Sequence, residues 1–216
     1  MQGWPVAQAD QTVGLLGGSF DPAHAGHVNI TLAALRRFRL EHIWWLVSPG
    51  NPLKHHGPAP LKARLKAAHD IMTHPRVTVT DLESRLGTRF TAQTLKALKA
   101  RYPGVRFVWL MGADNLAQFD QWQDWRWIMD HVPVGVLARP NDRISARFSK
   151  AARIYHASRL KGQAASLLAR SEPPAWCFVN LPLSTASSSA IRAQGHWVRA
   201  GETVMANELS CHHQDG

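Results

Sequence analysis

Residues 17–27 read GGSFDPAHAGH, with Gly17 and Gly18 at one end and His24 and His27 at the other. They follow the apolar run Val13–Leu16, which reads as a short buried strand. After a strand, Gly17 and Gly18 let the backbone turn sharply and leave room for a ligand against the main chain. From Gly26 to about Arg39, Val28, Leu32 and Leu35 recur at i, i+4 and i+7, so a helix is expected to begin near His27. The free N–H groups and positive dipole end of that helix favour an anion. His24 and His27 can then both project toward a phosphate, and imidazole donates hydrogen bonds to phosphate oxygens. Neither the GxGxxG fingerprint nor the GxxxxGK[ST] loop is present, so this is a phosphate site of another kind.

Outward from this stretch, strands and helices alternate. Strands are expected at 43–47, 76–80, 106–111, 134–138 and 177–181. Helices are expected at 60–74, 91–102, 122–130 and from Ser189 onward. Gly112–Asn115 reads as a tight loop, and Ser166–Pro174 as a surface loop. The alternation predicts one α/β domain with a Rossmann-like, doubly wound parallel sheet. In such a sheet the loops after Leu16, Val47, Met111 and Ala138 share the ligand-binding edge.

The 216 residues suffice for one core, and no apolar segment is long enough to span a membrane. The first twelve residues lack the pattern of a secretory signal, and Cys177 and Cys211 form no CxxC. One disulfide between them is open to the sequence, but a reduced cytoplasmic protein is expected. The formal charge is +10. Part of it lies between Arg139 and Arg170, where Ile144, Phe148, Ala151, Ala152 and Tyr155 recur at helical spacing. That pattern reads as an amphipathic helix with a solvated basic face. No aromatics interleave with the charges as a nucleic-acid surface requires, so neither nucleic acid nor membrane is an expected partner.

The opening stretch resembles the GG(S/T)FDPxHxGH signature of the nucleotidyltransferase superfamily, in the form used by bacterial nicotinate-nucleotide adenylyltransferases. Residues 187–192, SSSAIR, resemble that superfamily's ISSTxIR motif, with Ala186 where isoleucine is common. Between them, SPGNPLK (48–54), FTAQTL (90–95), GADN (112–115), FDQW (119–122) and ARP (138–140) resemble further family segments. The resemblance spans residues 13–194. It implies an N-terminal extension (1–12), a nucleotidyltransferase domain (13–195) and a C-terminal tail (196–216).

By this resemblance, ATP and nicotinate mononucleotide are the substrates, and nicotinate adenine dinucleotide and pyrophosphate are the products. It implies catalytic roles for His24, His27 and Arg192. It implies ATP and phosphate contacts from Gly17, Gly18, Ser19, Phe20, Lys54, Ser188 and Ser189. Nucleotide and pyridine contacts fall to Thr91, Gly112, Asp114, Trp122 and Arg139. Mg²⁺ is expected to bridge the phosphates without protein ligands of its own. Asp21 and Pro22 fit a structural role as well as direct contact, and Trp125 and Trp127 read as core. Rivals are adenylyl transfer to nicotinamide mononucleotide or phosphopantetheine, and a non-catalytic nucleotide- or RNA-binding protein. A homo-oligomer is left open.

Overall fold

The computed structural model describes residues 3–50, 57–138, 143–181, 188–193 and 197. Seven strands form one parallel sheet: β1 (Thr12–Gly18), β2 (His42–Val47), β3 (Val77–Thr80), β4 (Arg106–Gly112), β5 (Val134–Ala138), β6 (Arg159–Leu160) and β7 (Trp176–Asn180). Their order across the sheet is β3-β2-β1-β4-β5-β7-β6. Every pairing is parallel, with Leu16 opposite Trp45 on one side and Leu110 on the other. The chain winds outward from β1 to β3 and then crosses back to β4 beside β1. The order therefore reverses between β1 and β4, and a crevice opens there at the carboxyl ends of both strands.

Consecutive strand residues face opposite layers. Leu15, Trp44 and Leu46 pack under α3 (Leu82–Leu86), α4 (Thr91–Arg101), α5 (Ala113–Ala117) and α6 (Trp125–His131). Leu16, Ile43, Trp45 and Val47 pack under α1 (Ala25–Arg37), α2 (Leu61–Ile71) and a 3-10 helix at Gly162–Arg170. Burial on both faces explains why the strands read as continuous apolar runs. Among the described residues no helix is long and apolar enough to cross a membrane.

The differences from the sequence reading are local. Strand β1 extends through Gly18, because Gly17 and Gly18 still pair with Leu46 and Val47. Helix α1 starts at Ala25, two residues before His27. The GADN stretch is not a loop: α5 begins at Ala113, directly after Gly112. Trp122 precedes α6, at the end of a 3-10 turn spanning Phe119–Gln121. The five-residue α3 was not expected, and Gly87 ends it in the left-handed region at φ 65°.

The single amphipathic helix expected in the basic segment is replaced by α7 (Arg143–Arg147) and α8 (Lys150–Ile154). Ser149 caps α8 by accepting from the Ala152 amide and so breaks the helical register. As a result Phe148, assigned to the inward face, is 73% exposed. The expected surface loop at 166–174 instead begins inside the 3-10 helix, with Leu168 and Ala169 buried. Helix α9 (Ser188–Ala193) lies where the C-terminal helix was expected. Cys177 is a buried free thiol in β7, and Cys211 lies outside the described residues.

Candidate active site at the strand reversal

The signature occupies the loop between β1 and α1, at the point where the strand order reverses. Each of its residues is fixed by a different contact. A side chain at Gly17 would run into the Trp109 ring from β4, so this glycine is required by packing between neighbouring strands. Phe20 sits in the left-handed region at φ 47°, a costly conformation for a bulky residue. Its ring is buried, stacked on Trp45 at 4.7 Å and tilted against His27 at 4.7 Å. The Phe20 ring therefore packs between Trp45 and His27.

His24 is the N-cap of α1. Its Nδ1 accepts from the Gly26 amide at 3.0 Å, and His27 Nδ1 accepts from the His24 amide at 3.2 Å. The pair forms a capping box made of two imidazoles. Since each Nδ1 accepts, the proton of each neutral ring is assigned to Nε2, which makes Nε2 a donor. The rings lie 4.0 Å apart between centroids, and His24 is 5% exposed. The helix end thus presents backbone amides and two imidazole donors in one place, which suits a multiply charged anion.

Asp21 is buried, and its Oδ1 accepts from the Ala59 amide at 3.1 Å and from Trp197 Nε1 at 2.6 Å. Of the two roles the sequence leaves open for Asp21, these contacts carry the structural one, fastening the loop. The second motif closes on the same loop. Ser188 Oγ donates to the Pro22 carbonyl at 3.0 Å, and Arg192 donates to the Asp21 carbonyl. Ser189 lies beside Ser188 in α9. Lys54 and Arg139 fall outside the described residues.

Across the crevice, Gly112 and Asp114 stand at the end of β4 and in the first turn of α5. A side chain at Gly112 would collide with the Asp114 carboxylate, so the glycine leaves room for that group to fold back. Trp122 packs edge-on to Trp109 at 6.3 Å and to Phe119 at 5.2 Å. Trp109 is buried, and its Nε1 has no hydrogen-bond partner among the described residues. Thr91 opens α4. Trp125 is buried as expected, whereas Trp127 is half-buried and stacks on His131 at 4.6 Å.

One residue absent from the sequence reading stands out. Arg64 in α2 is 1% exposed. It donates to four carbonyls: Ala59 at 2.6 Å, Ser19 and Ser48 at 2.7 Å each, and Pro49 at 3.2 Å. Burial pushes its pKa down and the nearby Asp21 charge pushes it up. Its position in sequence carried a signal. Leu61, Arg64, Leu65 and Ala68 share one helix face, and a cation on that face needs partners.

Among the described residues no cluster of three histidine, cysteine or acidic side chains can hold a metal. The signature carboxylate, Asp21, is already engaged. Imidazoles, a hydroxyl, a guanidinium and amides make up most of the remaining set, which suits anionic phosphate oxygens better than a hard divalent cation.

A parallel sheet whose strand order reverses beside a helix-opening loop has the architecture of the doubly wound nucleotide-binding folds. The chain belongs to the cytidylyltransferase-like family, whose model matches residues 15–194. Within that family it falls among the nicotinate-nucleotide adenylyltransferases. A Ruegeria pomeroyi protein named "Probable nicotinate-nucleotide adenylyltransferase" is 63% identical, over 92% of this chain and 93% of its own. A Cereibacter sphaeroides protein of the same name is 67% identical, over 86% and 98%. The fold is shared with the Plasmodium falciparum nicotinic acid mononucleotide adenylyltransferase solved in complex with NaAD. That chain is 18% identical with a TM-score of 0.64, over 85% of this chain and 83% of its own.

Proposed function

We propose that this chain transfers the adenylyl group of ATP to nicotinate mononucleotide, a step of NAD synthesis. A 5′-phosphate oxygen of the acceptor attacks the α-phosphorus of ATP in line. The bond from that phosphorus to the bridging oxygen of the β-phosphate breaks, and pyrophosphate leaves. The acceptor phosphate is ionised at neutral pH, so no general base is needed. Catalysis is positioning and stabilisation of charge on the phosphates. The single observation that carries this reading is the imidazole capping box of His24 and His27, sited at the strand reversal and closed over by Ser188 and Arg192.

In this reading the Nε2 donors of His24 and His27 and the α1 amides hold the triphosphate as charge builds on it. Arg192 adds a planar cation, and Ser188 and Ser189 flank it. Gly17, Gly18 and Ser19 supply backbone, Lys54 adds charge toward the phosphates, and Arg139 adds charge toward the nucleotide. Thr91, Gly112, Asp114 and Trp122 receive the acceptor nucleotide and its pyridine ring. Mg²⁺, held mainly by the ATP phosphates and water rather than by this chain, would neutralise phosphate charge.

The deciding experiment measures pyrophosphate release from ATP and Mg²⁺, with nicotinate mononucleotide, nicotinamide mononucleotide and phosphopantetheine offered separately. Strong preference for nicotinate mononucleotide is the expected result. Preference for another acceptor overturns the pyridine assignment, and no release with any of them overturns the transferase reading.

A further inference from the structure

We infer that Arg64 is a positioning residue for adenylyl transfer: its buried guanidinium locks the loop after β1 and the loop after β2 into one rigid cradle. The nature of what the cradle holds rests on the adenylyl-transfer reading; the cradle itself does not.

The four carbonyls around Arg64 come from separate places. Ser19 follows β1, Ser48 and Pro49 follow β2, and Ala59 precedes α2. Without a cation between them, these carbonyl dipoles would point their negative ends at one another. Pro49 after β2 and Ala59 before α2 converge on the same guanidinium, so one side chain joins both places. Ala59 also donates its amide to Asp21, the carboxylate inside the signature. Arg64 therefore grips the signature twice: directly through Ser19, and indirectly through Ala59 and Asp21.

The grip passes to the imidazoles through covalent neighbours. Ser19 immediately precedes Phe20, whose ring packs against His27. If α2 needed only to pack here, an apolar side chain beside Leu61, Leu65 and Ala68 would do so at lower cost, because a buried charge is tolerated only when its donors are bonded. A planar fork of donors can join several carbonyls at fixed angles, whereas a lysine ammonium cannot reproduce that fork.

The test uses the full chain with R64K and R64M, the second keeping volume without charge. Hydrogen exchange of the 17–20 and 48–50 segments is measured beside thermal melting and steady-state kinetics. The expected result is a folded R64K whose two segments exchange at least about tenfold faster. Its kcat falls about 100-fold, as expected for reacting groups displaced by about an ångström. The KM for nicotinate mononucleotide stays within a few-fold, because the pyridine pocket lies across the crevice. A merely structural role would lower the melting temperature and leave kcat intact below it. Wild-type exchange in both segments, or wild-type kcat in a folded variant, overturns the proposal. If the wild-type chain turns over no acceptor, the adenylyl-transfer reading fails, and the exchange measurement still decides whether Arg64 holds the two loops.

Discussion

The hydroxyl of Ser188 donates to the carbonyl of Pro22 at 3.0 Å, so segments 166 residues apart in sequence close on one another. Arg192, one helical turn further along α9, donates to the carbonyl of Asp21 beside it. The two motifs that sequence separates by almost the whole chain thus form a single structure. Lysine at position 192 keeps the charge but replaces a planar fork with a point donor. Arg192→Lys is expected to fold as the wild type and to release pyrophosphate about 100-fold more slowly. Undiminished turnover would remove Arg192 from the machinery.

His24 combines two tasks that mutation can separate. Its Nδ1 accepts from the Gly26 amide and so caps α1, and in the proposed reaction its Nε2 donates to the phosphates. Asparagine at position 24 can cap the helix but has no group at the reach of Nε2. His24→Asn is expected to melt close to the wild type and to lose at least about 100-fold in turnover. His24→Ala is expected to lose the same turnover and, in addition, about 1 kcal/mol of stability. Paired melting curves and pyrophosphate assays check both. Full activity in His24→Asn would reduce His24 to a cap.

Much of this was legible in sequence. The strand positions follow from apolar runs buried on two faces, and β5 matches its expected span, Val134–Ala138. The signature and the SSSAIR stretch point to a candidate site through their resemblance to family motifs, and the structure brings the two together. Less legible was anything decided by contacts between distant segments. The order β2-β1-β4 that creates the crevice cannot be read from local pattern. The first signature glycine reads as a ligand-clearing turn, yet what occupies the space of its missing side chain is Trp109. For Arg64, spacing could place a cation on the apolar face of α2, but its partners are carbonyls of other loops, which no spacing rule reveals. In the basic segment, the spacing that suggested one helix was overridden by the Ser149 cap, which starts a new helix in a different register.

The Gly17–Trp109 contact yields a stability prediction. A methyl group at position 17 would meet the far edge of the Trp109 ring, with Cζ2 only 3.2 Å away. Neither strand can retreat, since Leu16 is registered on Leu110. Gly17→Ala is expected to cost about 1–3 kcal/mol by overpacking. Trp109→Leu alone is expected to cost about 2–4 kcal/mol through the cavity it leaves, partly offset by removal of an unpartnered buried N–H. In the double variant the methyl group enters space the ring vacated. Its cost should therefore fall short of the sum by at least about 1 kcal/mol. Urea unfolding of the four proteins tests this, and strict additivity would show that the two residues do not touch.

Glu83 provides a pH-dependent prediction. It lies buried in α3, where Thr94 Oγ1 approaches its Oε1 at 3.4 Å and Thr88 Oγ1 lies 2.8 Å from that hydroxyl. Burial raises its pKa from 4.5 to about 7, against a smaller lowering by the Thr94 hydroxyl. The folded state therefore keeps a proton between pH 4.5 and 7 that the unfolded chain has released. Stability from this group is complete below about pH 4.5, falls as pH rises through 7, and is level above. Glutamine keeps the shape, cannot ionise, and can still accept from Thr94. Glu83→Gln is expected to match the wild type near pH 4.5 and to exceed it at pH 8 by up to about 3 kcal/mol. Urea titrations at several pH values measure the difference directly. Parallel stability profiles across this range would mean that Glu83 ionises as freely in the folded chain as in the unfolded one. Its place beneath the segment leading to Thr91 would then be hydrated rather than buried.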